Sequence, residues 1–198
     1  MPANTGFPAR TVVWRRIGDD LAFDWACLIG GPEGFELSGT ILAACNGHPF
    51  RAGYRIQCDA EWRTQRVEIN TVLGDKATRL EMTTDGLSTW QVNGRAAPEL
   101  AGCLDIDLEY TPATNALPIN RLALAVGTEA EVAAAWVRFP QLSVERSAQT
   151  YVRLADDTFV YRSGSFEAVL QVDAASLPIR YEGQWLRVGE STAPTARS

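Results

Sequence analysis

Three acidic residues stand at alternate positions in one short segment of the chain: Asp105, Asp107 and Glu109. Alternate side chains of a strand point to the same face, so we expect these carboxylates on one face and the intervening apolar residues on the other. A carboxylate pair about 7 Å apart is compatible with acid–base chemistry of the glycosidase type. The same face would also suit the polar wall of a binding cavity, or a solvated surface with salt bridges to Arg63, Arg66 or Arg121. The residues themselves leave these alternatives open.

Other groups that could do chemistry are scarce. His48 is the sole histidine of the sequence, and the run Asn46-Gly47-His48-Pro49 is typical of a hairpin tip, so we expect no catalytic role for it. The four cysteines contain no C-x-x-C pair, and with one histidine they cannot supply a conventional zinc site. The sequence has no phosphate-binding or dinucleotide-binding glycine motif and no G-x-S-x-G motif. We therefore predict no catalytic residue, no metal and no cofactor.

The composition is that of a globular protein of 198 residues. The formal net charge of -6 and the isoelectric point of about 4.9 argue against nucleic acid or an anionic membrane surface as partner. The basic residues are 17 arginines and Lys76, a bias that either genome composition or bidentate recognition of carboxylate, phosphate or sugar groups would produce. No apolar run has the length of a signal peptide or a transmembrane segment, so we predict a cytoplasmic protein.

Apolar and polar residues alternate over much of the chain, for example in residues 35–43 and 166–172. This period of two is typical of half-buried strands, and the short turns between them contain the glycine or asparagine that tight hairpins require. The pattern predicts a mainly β fold, a single large curled antiparallel sheet or half-barrel of roughly ten to twelve strands with little helix. We assign residues 1–190 to one β-rich domain and residues 191–198 to a disordered tail.

Two local patterns are less regular. The run Thr128-Glu129-Ala130-Glu131 matches a helix capping box, but Val132, Trp136 and Phe139 favour a strand, which is our prediction there. Pro112 suits the first position of a helix, so we expect a helical turn after it.

Aromatic side chains are numerous, with six tryptophans and five tyrosines. Several stand next to an arginine, as in Trp14-Arg15, Trp62-Arg63 and Tyr161-Arg162. Such pairs could stack on sugars or bracket a lipid headgroup. Core packing and cross-strand pairing explain the same residues equally well.

Several blocks of the sequence resemble one known family. The most specific is the pattern Asp-x-Asp-x-x-x-Thr-Pro-x-Thr-Asn of residues 105–115, and further blocks lie at residues 58–66, 116–122, 135–137, 149–151 and 181–187. Over residues 14–187 the chain is similar to the bacterial putative glycolipid-binding family, formerly a domain of unknown function. The resemblance implies a curled half-barrel similar to the Lol-type lipoprotein carriers, which hold acyl chains on the concave face. It brings no catalytic residues with it.

The function that this resemblance implies is binding of a glycolipid or another amphiphile on the concave face of the sheet, with polar groups at the mouth. The predicted ligand-binding residues are Tyr54, Trp62, Arg63, Asp105, Asp107, Asn115, Arg121, Gln149 and Tyr151. Two alternatives stay open. One is a non-hydrolytic biosynthetic enzyme that acts on an amphiphilic or aromatic intermediate in the same cavity. The other is an interaction scaffold that forms a homodimer through an open sheet edge or face.

Overall fold

The computed structural model of the chain describes residues 8–18, 21–31, 33–85 and 89–192. Within these ranges it contains 15 strands, one α-helix and two short 3-10 turns. The strands are β1 (Arg10–Arg16), β2 (Ala22–Gly31), β3 (Gly34–Cys45), β4 (His48–Cys58), β5 (Thr64–Leu73), β6 (Lys76–Thr84), β7 (Trp90–Val92), β8 (Arg95–Ala96), β9 (Asp105–Leu108), β10 (Glu129–Arg138), β11 (Ser143–Ala155), β12 (Thr158–Ser163), β13 (Phe166–Val172), β14 (Pro178–Tyr181) and β15 (Trp185–Thr192). The helix is α1 (Ala116–Leu122), and the 3-10 turns span Pro98–Leu100 and Ala113–Asn115.

One sheet contains all of these strands, in the order β8-β7-β6-β5-β4-β3-β2-β1-β15-β14-β13-β12-β11-β10-β9. Neighbouring strands are antiparallel except β9 and β10, which are parallel. Most of the long strands form where the sequence alternates, because alternation lets one face of the strand leave water. In β2, for example, Ala22, Asp24, Ala26 and Leu28 are buried while the residues between them are more exposed. The predicted large curled antiparallel sheet is confirmed.

The number of strands is larger than predicted, 15 rather than roughly ten to twelve. The difference lies in short strands: β7, β8, β9 and β14 contain 3, 2, 4 and 4 residues. A strand this short places at most two residues on either face, so alternation does not reveal it in a sequence.

The sheet curls until its two ends approach each other without closing. Trp90 Nε1 on β7 donates a hydrogen bond to the carbonyl oxygen of Cys103 over 2.9 Å. The backbone N–H of Thr64 on β5 donates to the carbonyl oxygen of Leu104 over 3.1 Å. Cys103 and Leu104 directly precede β9, which is the last strand at the opposite end of the sheet order. The segment between β8 and β9 therefore ties the two ends of the half-barrel together.

The crossover between β9 and β10 carries the helix α1. Parallel strands cannot be joined by a tight hairpin, so the chain must cross over the sheet between them. Ala116, Leu117 and Ile119 of α1 are at most 5% exposed and belong to the same core as the inward-facing strand residues. Pro118 is tolerated because it stands in the first turn, where a backbone N–H has no partner within the helix. The helix thus fills part of the hollow that the curled sheet encloses.

Two local predictions are confirmed. The region of Val132 and Trp136 forms the strand β10, and a 3-10 turn followed by α1 comes directly after Pro112. β15 includes Ser191 and Thr192, the first residues of the predicted tail, and residues 193–198 lie outside the described part of the chain. Among the described residues, no helix is long and apolar enough to cross a membrane.

Candidate ligand-binding site

A cavity of about 350 Å³ lies between β9, with the turn that follows it, and the strands β10 to β15. Its lining combines aromatic rings with hydroxyl, amide and carboxyl groups. The lining residues are Asp107, Leu108, Glu109, Thr111, Asn115, Trp136, Ser147, Tyr161, Ser163, Gly164, Phe166, Tyr181, Gln184 and Trp185. Two of the predicted ligand-binding residues, Asp107 and Asn115, are among them.

The aromatic side of this cavity comes from strands that are neighbours in the sheet. Tyr161 on β12, Phe166 on β13 and Tyr181 on β14 pack with ring centroids 6.1 or 6.2 Å apart. The ring of Tyr151 on β11 meets Tyr161 edge to face at 5.3 Å. Phe166 is 37% exposed and marks the open side of the cavity. Rings arranged in this way offer an apolar surface to a sugar ring or to an alkyl chain.

The polar side of the cavity is centred on Asp107. Gln149 Nε2 donates a hydrogen bond to Asp107 Oδ2 over 2.7 Å, and the Thr114 hydroxyl donates to Oδ1 over 3.2 Å. Burial raises the pKa of Asp107, and these hydrogen bonds oppose the rise. The carboxyl oxygens have further lone pairs that can accept hydrogen bonds from hydroxyl groups of a ligand. The sequence left several roles open for the acidic strand, and the position of Asp107 is that of a residue in the polar wall of a cavity.

Asn115 is held in a fixed orientation beside Asp107. Its Nδ2 donates to the carbonyl oxygen of Pro112 over 3.0 Å, and its Oδ1 accepts a hydrogen bond from the Tyr151 hydroxyl over 2.9 Å. Tyr151 is 2% exposed and lies outside the cavity lining, as does Gln149. These two predicted wall residues therefore support the residues that line the cavity.

Asp105 and Arg121 bind each other. Arg121 Nε donates to Asp105 Oδ1 over 3.0 Å, and Nη2 donates to Oδ2 over 2.6 Å. Burial raises the pKa of Asp105, which is 1% exposed, and the Arg121 guanidinium opposes that rise. Of the three arginines considered as partners of the acidic strand, Arg121 pairs with it and fastens α1 to β9, whereas Arg63 and Arg66 pair with Asp59 and Glu68. Neither residue lines the cavity, and their role in ligand binding stays a prediction.

Tyr54 lies in a second buried polar cluster, behind the cavity residue Thr111. The Tyr54 hydroxyl donates to Asp24 Oδ2 over 3.2 Å, and the Thr111 hydroxyl donates to the same oxygen. Asp24 is fully buried, which raises its pKa to about 7, while the hydrogen bonds from Thr111 and Tyr54 oppose the rise. The Tyr54 ring fits because residue 39 is glycine: a Cβ at Gly39 would lie 2.4 Å from atoms of that ring. Tyr54 therefore contacts the cavity wall from behind.

Trp62 and Arg63 lie in the connection between β4 and β5. Trp62 has a positive φ of 65° and stacks on the ring of Phe35 at a centroid distance of 3.6 Å. Arg63 Nε lies 3.5 Å from a carboxylate oxygen of Asp59. The lining of the cavity does not include Trp62 or Arg63, and their assignment to a ligand-binding wall stays a prediction.

Several lining residues were not among those predicted from the sequence, above all Tyr161, Phe166, Tyr181 and Trp185. Two signals pointed toward them. Tyr161 stands in an aromatic–arginine pair, and Tyr181 and Trp185 belong to the last block that resembles the family. Alternation places such rings on an inward face, but it does not say which inward faces become neighbours.

A larger groove of about 580 Å³ adjoins the cavity and shares Ser163 and Gly164 with it. Charged side chains such as Glu131, Arg146 and Arg162 stand along it, and its described lining contains no aromatic ring. The smaller cavity is the better candidate for a specific ligand, because binding sites combine apolar and aromatic walls with a few fixed polar groups.

Groups suited to metal or nucleophilic chemistry are dispersed. Within the described ranges, no three His, Cys, Asp or Glu side chains form a group that could hold a metal ion. His48 is exposed at the start of β4. All four cysteines are free, with Cys58 and Cys103 buried and Cys27 and Cys45 half-buried.

Comparison with known proteins agrees with this fold. A family model described as putative glycolipid-binding matches residues 11–187. The crystal structure of a DUF1089 family protein from Pseudomonas aeruginosa is 33% identical, with a TM-score of 0.77, and the match covers 83% of this chain and 92% of that chain. The crystal structure of a β-barrel-like protein of DUF1849 from Brucella abortus matches with a TM-score of 0.58 at 10% identity, over 95% of this chain and 98% of that chain, a likeness of fold alone. No match was found among curated proteins. The chain belongs to the family described as putative glycolipid-binding.

Proposed function

We propose that the protein binds a glycolipid or a similar amphiphile, with the headgroup in the cavity between β9 and β12–β15. The observation that carries the proposal is the presence of two kinds of wall in one cavity. Rings of Tyr161, Phe166 and Tyr181 lie on the same cavity as the carboxyl group of Asp107. A sugar has an apolar ring face and a rim of hydroxyl groups, so this combination matches both of its surfaces. The description of the family supports the same class of ligand.

The volume of the cavity limits how much of the ligand it can enclose. At about 30 Å³ per water molecule, 350 Å³ corresponds to roughly a dozen waters. A single sugar ring with its hydroxyl groups has a similar number of non-hydrogen atoms, whereas a complete glycolipid is several times larger. The cavity therefore takes the headgroup, and the alkyl chain leaves past the exposed ring of Phe166.

A headgroup alone would bind weakly. At about -0.3 kcal/mol per non-hydrogen atom, roughly twelve atoms give about -4 kcal/mol, which corresponds to a Kd near 1 mM. Each methylene removed from water adds about 0.8 kcal/mol, so burial of about five methylenes against the protein surface would lower the Kd to the order of 1 µM. Affinity for a fixed sugar should therefore increase with the length of its alkyl chain.

Isothermal titration calorimetry with methyl, hexyl and octyl β-glucosides, each below its critical micelle concentration, tests this proposal. We expect the affinity to increase along the series, and octyl glucoside to bind more tightly than either glucose or octanol. Native mass spectrometry of gently purified protein is the second measurement, and we expect an adduct with the mass of an amphiphile. Absence of both glycoside binding and any adduct would refute the proposal.

A pair of matched variants locates the binding. Phe166 lines the cavity, whereas Trp25 is 45% exposed on the outer face of β2. Phe166→Ala should weaken octyl glucoside binding about fivefold, because an aromatic contact contributes about 1 kcal/mol. Trp25→Ala should bind as the unmodified protein does. Equal losses in the two variants would show that the ligand does not occupy this cavity.

A further inference from the structure

Arg16, the last residue of β1, has a guanidinium group that lies between two aromatic rings. Its Cζ is 4.9 Å from the centroid of the Tyr110 ring and 5.7 Å from that of Trp185. The Nη1 atom is buried and has no hydrogen-bond partner. Among the described residues no carboxylate oxygen lies within 4.0 Å of the group, in contrast to Arg121, which holds Asp105, and Arg187, which holds Asp173.

This guanidinium lies directly behind the wall of the candidate cavity. Trp185, one of the two rings against it, lines the cavity, and Tyr110 stands between the lining residues Glu109 and Thr111. Burial raises the pKa of Tyr181, and the positive charge of Arg16 opposes that rise. Arg16 is therefore within electrostatic range of Tyr181, a second residue of the cavity lining beside Trp185.

A buried donor without an acceptor costs free energy, and the contacts of the guanidinium with the two rings offset this cost only in part. Guanidinium groups match carboxylate and phosphate oxygens with two parallel hydrogen bonds, and they are desolvated more readily than an ammonium group. Resting on the proposed function, we propose that the headgroup in this cavity is acidic, and that Arg16 binds its carboxylate or phosphate oxygens. Nη1 is covered by protein atoms, so this binding requires a side chain beside it, such as the Trp185 ring, to move.

The acidic residues of the cavity determine how such a headgroup is oriented. Glu109 is already paired, since its Oε2 accepts a hydrogen bond from the Phe139 N–H over 2.9 Å and its Oε1 lies 3.6 Å from Arg138 Nη2. Asp107 has hydrogen-bond donors around it, and none of its partners in the described part of the chain is a cation. Negative charge at these residues repels an oxyanion, and their carboxylate oxygens accept hydrogen bonds from hydroxyl groups. A sugar with its acidic group toward Arg16 and its hydroxyl groups toward Asp107 gives both side chains a suitable partner.

Titration calorimetry with three probes that share one alkyl chain tests the inference. The probes are octyl β-glucoside, octyl β-glucuronide and octyl β-glucoside 6-phosphate, which differ only at C6 of the sugar. We expect at least one acidic probe to bind the unmodified protein about ten- to a hundredfold more tightly than the neutral glucoside, as a charge-assisted hydrogen bond implies. The better of the two acidic probes identifies the oxyanion as carboxylate or phosphate.

Three variants assign the preference to Arg16. Arg16→Gln should lose the preference and bind the acidic and neutral probes with about equal affinity. Arg16→Lys, which keeps the charge without the planar fork, should keep part of the preference. Arg15→Gln removes the neighbouring exposed arginine and should bind as the unmodified protein does. Circular dichroism and thermal melting check that each variant folds. If Arg16→Gln does not fold, the affinities of Arg16→Lys for the three probes decide the question.

Failure of the inference is distinguishable from failure of the proposed function. Equal binding of all three probes by the unmodified protein, or a preference that survives in Arg16→Gln, would overturn the oxyanion site and leave amphiphile binding intact. Binding of none of the three probes would overturn both.

Discussion

Replacement of Asp24 by asparagine should remove a large part of the dependence of folding stability on pH. The Asp24 carboxyl group is fully buried, with the hydroxyls of Tyr54 and Thr111 as its hydrogen-bond donors. Burial raises its pKa from 3.8 to about 7, and the two hydrogen bonds oppose the rise. The folded state therefore keeps a proton on this group over a pH range in which the unfolded state has lost it.

The sign and size of the effect follow from this difference in protonation. Between pH 4 and pH 7 the folded protein binds about one proton more than the unfolded chain, so stability decreases as pH rises and levels off above pH 7. At 1.36 kcal/mol per pKa unit, the two units between pH 5 and pH 7 correspond to about 3 kcal/mol. Asp24→Asn carries no titrating proton and keeps an oxygen that can accept a hydrogen bond from a hydroxyl group. The unmodified protein should therefore lose about 3 kcal/mol more than the variant between pH 5 and pH 8.

Urea denaturation of both proteins at pH 5, 6, 7 and 8 measures this difference. Other buried carboxyls, such as Asp105 and Asp107, are the same in both proteins and cancel in the comparison. Asp75→Asn, in the exposed turn between β5 and β6, is the matched control and should follow the unmodified protein at every pH. Parallel stability curves for Asp24→Asn and the unmodified protein would refute the reasoning, because Asp24 would then be ionised over the whole range.

Two further variants test how the site is held in place. Arg121→Leu should lower the free energy of unfolding by about 3 to 5 kcal/mol, because it leaves the buried Asp105 carboxylate without its cation; an unchanged urea midpoint would contradict this. Gly39→Ala should lower it by about 1 to 3 kcal/mol, since a Cβ there would lie 2.4 Å from the Tyr54 ring. Gly53→Ala, where a Cβ would meet nothing within 4 Å, is the control, and equal losses in the two glycine variants would show that Tyr54 moves freely.

The sequence was sufficient to predict the sheet, because each long strand buries one face and the alternation records that face directly. It also indicated Arg121 as one possible partner of the acidic strand, since Arg121 follows the strand closely enough to fold back, but it did not single out Asp105 or exclude Arg63 and Arg66. It could not choose among the roles of the acidic strand. Among the described strands β9 pairs with β10 alone, in parallel, and that long-range pairing places Asp107 on the cavity while Asp105 is enclosed.

The aromatic side of the cavity could not be predicted for a related reason. Tyr161, Phe166 and Tyr181 come together because β12, β13 and β14 are adjacent and the sheet is curved, whereas alternation reports only that each ring faces inward. Trp62 shows the opposite case. Its neighbour Arg63 suggested a stacking pair, but a positive φ of 65° turns the Trp62 ring onto Phe35. Positive φ values are uncommon for residues other than glycine, so the sequence did not indicate this backbone conformation at Trp62.

The feature with the largest consequence for function is the place of α1 in the hollow. A helical turn after Pro112 was expected, but not that Leu117 and Ile119 would fill the space that a long alkyl chain needs. What the sheet and helix leave open is about 350 Å³, with aromatic rings on one side and carboxyl and amide groups on the other, which suits a sugar ring and is too small for a complete glycolipid. A curled sheet filled in this way can therefore enclose the headgroup of an amphiphile and leave the alkyl chain outside. The chain then gains about 0.8 kcal/mol per methylene only while it lies against the protein surface, so affinity should stop increasing once the chain extends beyond that surface into water.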